Sequence, residues 1–344
     1  MKISLLVPCH NEEKSVEWSI RSCLNQTRKF DQIVFIDDCS TDRTPEILAQ
    51  YGDVITVKRT PQNTGNKSSA QEFGLQFITG DIFVTTDGDT LLDQKFVEEI
   101  EKEFNDPRVA AVAGYIKSIP CNWMTLCRAF EYVVGQNIHK LAQSYMNYIF
   151  VMPGAASAFR TDVFIQHIIF DHDTITEDLD FTYKLRNKQF KIVYNSKAIV
   201  YTQDPANLKD YINQMRRWFG GGWQNLMKHY TNIPMRLISS FELSLIYAEG
   251  LIFSILLFLI PILNPWFGFW FLFGYFIVAF LFAIWAAWLE KRPSLILAPF
   301  PYMIIIFINS YIYLEQFVKE VILKRKNLVW FQPKRVDMKV KEQI

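Results

Sequence analysis

Short apolar runs alternate with helix-spaced segments over the first hundred residues, and from about residue 237 onward apolar positions become nearly continuous. The runs Ile3–Val7, Gln32–Ile36, Val54–Lys58 and Ile82–Thr86 predict strands. Between them, Val16, Ile20 and Leu24 fall at helical spacing within Lys14–Gln26, Pro45 sits near the start of a short helix, and Ser68–Ile78 predicts another. Strands that alternate with helices imply an α/β domain with a largely parallel sheet. Three of the strands run into polar loops holding Asn11, then Asp37 and Asp38, then Asp87 and Asp89. At the carboxyl edge of an open parallel sheet such loops lie side by side and form a ligand crevice.

Beyond the sheet pattern, Trp123–Tyr148 carries Leu126, Phe130, Val133 and Val134 on one side and predicts a core or interface helix. Leu208–Tyr230 predicts an amphipathic, interfacial helix that places Gln214, Arg217 and Trp218 on one face, at i, i+3 and i+4. Its Gly220-Gly221-Gly222 is expected to weaken the helix, as a bend or a mobile gate. His139, His167 and His172 have no metal-ligand spacing and read as structural.

The apolar half changes the class of the protein. No charged side chain occurs over the 40 positions Gly250–Leu289 or over the 22 positions Pro293–Leu314, and one membrane span needs roughly 20. Spans are expected at about 241–263 and 266–289, joined by Asn264-Pro265, with a third apolar stretch at 294–322. The tail 324–344 has seven basic and two acidic residues and is expected on the cytoplasmic side. A catalytic domain on that same side would make the third stretch re-entrant or interfacial, or require another crossing upstream. The expected division is a domain over 1–236, a membrane region over 237–323 and the basic tail.

Charge is otherwise balanced, 36 basic against 35 acidic residues, which gives a nucleic-acid partner no support. Five cysteines precede the apolar part without a CxxC pair, indicating neither zinc nor a disulfide framework and fitting a reducing cytosol. The opening MKISLLVP is too short an apolar run for an expected signal peptide. The first strand is not followed by GxGxxG, which disfavours a dinucleotide site. Asp87-Gly88-Asp89 offers two hard oxygen ligands of the kind Mg²⁺ or Mn²⁺ takes while keeping positions open for a diphosphate. Arg217 on its helix face could clamp diphosphate oxygens, and Trp218 offers an apolar face to a sugar ring.

Taken together, PCHNEE (8–13), DDCSTD (37–42), TTDGDT (85–90), MPGAASAFR (152–160), TED (176–178) and QMRRW (214–218) resemble, in that order, the inverting nucleotide-sugar-dependent glycosyltransferases of family 2, with the GT-A fold. The membrane-bound branch with poly-N-acetylglucosamine, hyaluronan and cellulose synthases is the nearest likeness. LVWFQPKR (328–335) resembles a C-terminal W-x-x-P element of that branch and supports a tail docked near the active site. Three departures stand out: Cys39 and Arg43 where the family often has glycine, an extra residue ahead of Lys67, and no pair of spans before the catalytic domain.

The resemblance implies a UDP-sugar donor held by Pro8, Asn11, Glu12, Asp37, Asp38, Lys67, Asp87, Gly154 and Arg160, with Asn11, Asp38 and Lys67 at the nucleotide end. Asp87 and Asp89 would hold Mg²⁺ or Mn²⁺, Asp178 would be the base with Glu177 orienting the loop or the acceptor, and Gln214, Arg217 and Trp218 would serve acceptor and diphosphate. The implied activity is transfer with inversion to a saccharide hydroxyl, extending a β-linked N-acetylglucosamine-type chain. Export through so few polar intramembrane positions would require a second subunit or self-association. Two alternatives remain: a single transfer to a membrane lipid, or a scaffold that has lost activity. TED at a helix start also has a capping explanation, since acids there favour the helix dipole.

Overall fold

The computed structural model of the protein describes residues 1–230, 237–329 and 331. Four strands, β1 (Ile3–Cys9), β2 (Gln32–Asp37), β3 (Thr56–Arg59) and β4 (Ile82–Thr85), lie parallel in the order β3-β2-β1-β4. Leu6 stands opposite both Val34 and Thr85, so the ends of β1, β2 and β4 share one edge of the sheet. Helices α1 (Val16–Leu24), α2 (Thr44–Ala49) and α3 (Lys67–Leu75) make the crossovers. The continuous apolar runs of β1, β2 and β4 are explained by burial on both faces. The third strand starts at Thr56, two residues later than its apolar run suggests, because Val54 is exposed.

The other half of the sheet is mixed. After β5 (Leu91–Leu92) and α4 (Phe96–Glu103) come β6 (Val109–Ser118), α5 (Trp123–Val134) and α6 (Leu141–Tyr145). Then follow β7 (Ser157–Arg160), α7 (Thr161–His167), α8 (Glu177–Asn187) and β8 (Lys191–Thr202). Strand β7 runs antiparallel to both β4 and β6, while β6 and β8 are parallel. The full order is β3-β2-β1-β4-β7-β6-β8-β5. A largely parallel sheet therefore describes only the first four strands.

Helix α9 (Leu208–Tyr230) runs uninterrupted through Gly220-Gly221-Gly222, against the expected bend. A Cβ at Gly221 would lie 2.4 Å from Thr176 Oγ1, and one at Gly220 would lie 3.0 Å from Gln316 Oε1. The three glycines let neighbouring chain approach the helix closely, and that packing overrides their low helix propensity. Two cations of α9 are paired with carboxylates of neighbouring elements. Arg216 forms two bonds to Glu315, at 2.8 and 3.2 Å, and Lys228 sits among Asp171, Asp173 and Asp180.

The apolar part forms α10 (Leu237–Leu263), α11 (Pro265–Leu289) and, after a 3₁₀ turn at Pro293–Leu297, α12 (Pro299–Phe317). Asn264 caps α11 by accepting from Phe267 N, and Pro265 needs no partner for the N–H it lacks, so a tight helical hairpin results. Two segments, Leu245–Leu263 and Pro265–Leu289, are long and apolar enough to cross a membrane. Helix α12 differs from them. Its Ile305 and Ile312 are buried against Met124 and Cys127 of α5 and Tyr211 and Met215 of α9. Each such burial contributes about 1.5–3 kcal/mol, which docks α12 on the sheet domain.

Candidate active site

A cavity of about 800 Å³ starts at the loops after β1, β2 and β4, passes between α5, α8 and α9, and reaches Tyr247 and Gly250 of α10 and Tyr313 of α12. Its first end is built around Asp38. That carboxylate accepts from Thr64 N at 2.9 Å and from the hydroxyls of Thr64 and Thr60, each at 2.8 Å, tying the Asn63 loop to the end of β2. Pro8, His10 and Glu12 line the same end, and Glu12 accepts from Ser15 Oγ at 2.7 Å. His10 was overlooked in the sequence although it lies in PCHNEE. Its Nδ1 is 2.8 Å from the carbonyl of Asp38, which only accepts, so Nδ1 carries the proton.

Asn11 and Asp37 stand behind this wall, outside the cavity lining. Asn11 accepts from Thr41 N at 2.8 Å with a left-handed backbone, φ 53°, which asparagine tolerates. Cys39 has the same φ of 53° without that tolerance, which accounts for glycine being the expected residue there. Asp37 accepts from Arg59 Nη1 at 2.8 Å and from Ser40 N at 2.9 Å and shapes the loop.

The centre of the cavity gathers Lys67, Asp87, Asp89, Glu177, Asp178 and Arg217. Asn66 caps α3 by accepting from Ser69 N, which starts the helix at Lys67 and directs its ammonium onto Asp87, with Glu177 at 3.9 Å. Lys67, expected beside Asn11 and Asp38, therefore lies by the carboxylates at the centre of the cavity. Burial works against its charge, yet Asp87 and Glu177 outweigh burial and hold its pKa above the ordinary value. Asp178 accepts from Leu179 N at 2.8 Å and from Gly154 N at 3.2 Å. A Cβ at Gly154 would come within 2.8 Å of Lys67 Nζ, so any other residue there would displace the ammonium.

Arg160 is not in this site. It closes β7, whose antiparallel direction sets Arg160 opposite Ile82, at the beginning of β4 and so at the far edge of the sheet. There it donates to the carbonyls of Val109, Phe104 and Asp106. Gln214, Arg217 and Trp218 do line the cavity from one face of α9. Burial pushes the Arg217 guanidinium below its ordinary pKa, with Glu177, Asp178 and Asp87 pulling the other way. Trp218 is held from behind by the Arg128 guanidinium, 4.9 Å from the ring centroid. Arg128 also bonds Glu131 and reaches Asp204 Oδ1 at 3.4 Å.

Asp204, Gln136 and Lys140 line the cavity without having been assigned to it from the sequence, whereas Tyr132 could be expected to face an acceptor path. Asp204 follows β8 immediately before a proline, and Tyr132, Gln136 and Lys140 come from the segment expected chiefly to pack. Its apolar side does pack, on α11 and α12, but its opposite side is a wall of the cavity. Among the described residues, seven carboxylates line the cavity against three cations, Lys67, Lys140 and Arg217. Such a wall favours an added cation beside any diphosphate. Asp87 and Asp89 supply hard donors from a single loop, although no cluster of three His, Cys, Asp or Glu metal ligands occurs among the described residues. Two protein carboxylates with diphosphate oxygens completing the shell is the pattern Mg²⁺ takes.

Burial, with Asp178 adding to it and Lys67 opposing, pushes Glu177 up to about 7. A raised carboxyl means the folded chain holds this proton more tightly than the unfolded one. The resulting stabilisation is complete below about pH 4.5 and lost as pH rises through about 7. In metal-free buffer, wild-type melting temperature should therefore decline relative to Glu177→Gln between those pH values. Parallel curves would mean that Glu177 ionises normally.

Residues 4–168 match the sequence profile described as Glycosyl transferase family 2. The chain is 25% identical over 233 residues to the poly-beta-1,6-N-acetyl-D-glucosamine synthase of Staphylococcus aureus, covering 66% of this chain and 56% of the relative. It is 28% identical over 236 residues to the hyaluronan synthase of Streptococcus pyogenes, covering 63% and 56%. The chain thus spans about half the length of the curated relatives it matches. Among solved structures, the mannosyltransferase PcManGT from Pyrobaculum calidifontis, in complex with GDP-Man and Mn²⁺, superposes with a TM-score of 0.66 at 18% identity, over 94% of this chain and 88% of that one. TarS 1–349 of S. aureus in complex with UDP does so at 0.55 and 18%, over 93% and 92%. At such identities the likeness is one of fold, and the fold is GT-A.

Proposed function

We propose, from the premise that residues 4–168 form a family 2 glycosyltransferase domain, that this chain is an inverting, metal-dependent membrane glycosyltransferase using a UDP-sugar. The observation that carries this reading is the convergence of Asp87, Asp89, Lys67, Glu177, Asp178, Arg217 and Trp218 on one cavity at the carboxyl edge of the parallel strands. Asp38, His10 and Glu12 border the nucleotide end. Lys67 and Arg217 receive the diphosphate. Asp87 and Asp89 would hold Mg²⁺ or Mn²⁺, which neutralises charge on the leaving UDP.

The acceptor hydroxyl attacks the anomeric carbon on the face opposite the diphosphate. The new C–O bond forms as the bond to phosphate breaks, the electron pair leaves with UDP, and the hydroxyl proton passes to Asp178. Trp218, backed by Arg128, presents a flat apolar face to the acceptor ring. We take the product to be a β-linked N-acetylhexosamine or hexose chain, extended more than once. Supporting this are the two synthases among the relatives and the UDP-GlcNAc complex of TarS, a neighbour in fold.

For topology we propose two crossings, at Leu245–Leu263 and Pro265–Leu289, which return the chain to the side of the catalytic domain. The docking of α12 on α5 and α9 supports this, as does Phe331, which lines the cavity. Most of the basic tail and of the W-x-x-P-like element, including Trp330 and Pro333, lies outside the described residues. Export of a polymer would need a second subunit or self-association.

The test is the product. Membranes given labelled UDP-N-acetylglucosamine should yield label in material of increasing size that resists organic extraction. Label held wholly in one glycolipid with a single added sugar would replace extension by transfer to a lipid.

A further inference from the structure

The geometry points to Lys140 as the anchor of an oxyanion-binding subsite on the acceptor side of the cavity, reading an anionic group carried by the acceptor. This rests on the glycosyltransferase reading for what the ligand is, and on the structure for where it binds. Lys140 ends a π-helical turn, Gly135–Lys140, that continues α5. Such turns occur mostly at functional sites, and the wider turn brings Tyr132, Gln136 and Lys140 round to the cavity together.

Lys140 is more than nine-tenths buried and lines the cavity, yet no carboxylate among the described residues is within ion-pair distance of it. Three half-buried lysines are different. Lys67 sits on Asp87, and Lys184 and Lys228 sit on Asp180. What faces Lys140 is the ring of Tyr194, with its centroid 5.9 Å from Nζ, at the limit of a useful cation–π contact. Gln136 is already committed, bonding both backbone groups of Ile116, and the Tyr132 hydroxyl donates to Asp204. Burying an ammonium without a counter-ion is costly, so a fold that keeps one at a cavity wall has a ligand to receive there.

Position decides which ligand. Arg128 of α5 lies 4.7 Å from the ring of Tyr132 and 4.9 Å from that of Trp218, so the wall that carries Tyr132, Gln136 and Lys140 adjoins Trp218. That places Lys140 on the side of the cavity where Trp218 presents its face to the acceptor ring. Consistently, burial lowers its pKa to about 8, and Asp178 raises it only in part. An ammonium there is matched by a carboxylate on a sugar ring or by a phosphate on a lipid-linked acceptor.

Equilibrium binding by the purified full chain, in detergent and with UDP present, tests this without any turnover. Two matched pairs serve as probes. One is a glucuronate-containing β-linked tetrasaccharide against a neutral N-acetylglucosamine tetrasaccharide, and the other a short prenyl phosphate against the corresponding alcohol. In one pair the anion should bind about tenfold tighter, Lys140→Met should erase that preference, and Lys140→Arg should retain it. The pair that responds identifies the anion's source. No preference in either pair, or one that survives Lys140→Met in a variant that melts like wild type, overturns the subsite. Failure of the glycosyltransferase reading would register separately, as absent release of UDP from UDP-sugar with the binding preference intact.

Discussion

Asp178→Asn should leave a folded protein that binds UDP-sugar with nearly wild-type affinity and turns it over slower by a factor of about 10² to 10⁴, or about 3–5 kcal/mol of barrier. The size follows from removing a base that acts only as the acceptor proton departs. Nothing in donor binding uses that proton, so the loss should fall on kcat. The substitution has one local cost. Asp178 accepts from both Leu179 N and Gly154 N, and an asparagine can satisfy only one of them, leaving its amide NH₂ against an N–H. A modest drop in melting temperature is therefore expected. A matching loss of donor affinity would show Asp178 to be chiefly a support for the Gly154 loop and the start of α8, as its capping position also permits.

How far the sequence leads can be seen from individual residues. The parallel half was legible because apolar runs broken by polar loops report burial on both faces, and Asp38, Asp87 and Asp89 do come to one edge. The direction of β7 was not legible. It is four residues long, and nothing local reveals that it pairs antiparallel with β4. That one reversal carries Arg160 to the opposite edge. The glycines of α9 show a second limit, since propensity describes a helix alone, while Thr176, Gln316 and Tyr247 are what those glycines meet. Lys140 shows a third. Its apolar neighbours on the same segment announced a packed face, and the polar residues between them sat at the spacing of a second face that only the cavity makes meaningful.

Chelation should abolish transfer, readdition of Mn²⁺ or Mg²⁺ should restore it, and Asp89→Asn should remain folded while losing activity by a factor on the order of 10² or more. The structure supplies a specific competitor to this expectation. The Lys67 ammonium already lies on Asp87 and within 3.9 Å of Glu177, so the chain carries a cation of its own at the place where one is needed. One positive charge is a poor match for that surrounding. Asp87, Asp89, Glu177 and Asp178 all line the same part of the cavity, and a diphosphate adds further negative charge. Lys67 and Arg217 together cannot balance that sum, which is the physical reason for expecting a divalent ion. Full activity in chelator, coupled with inactivity of Lys67→Met, would mean that Lys67 takes the metal's part and that Asp87 serves to hold the lysine.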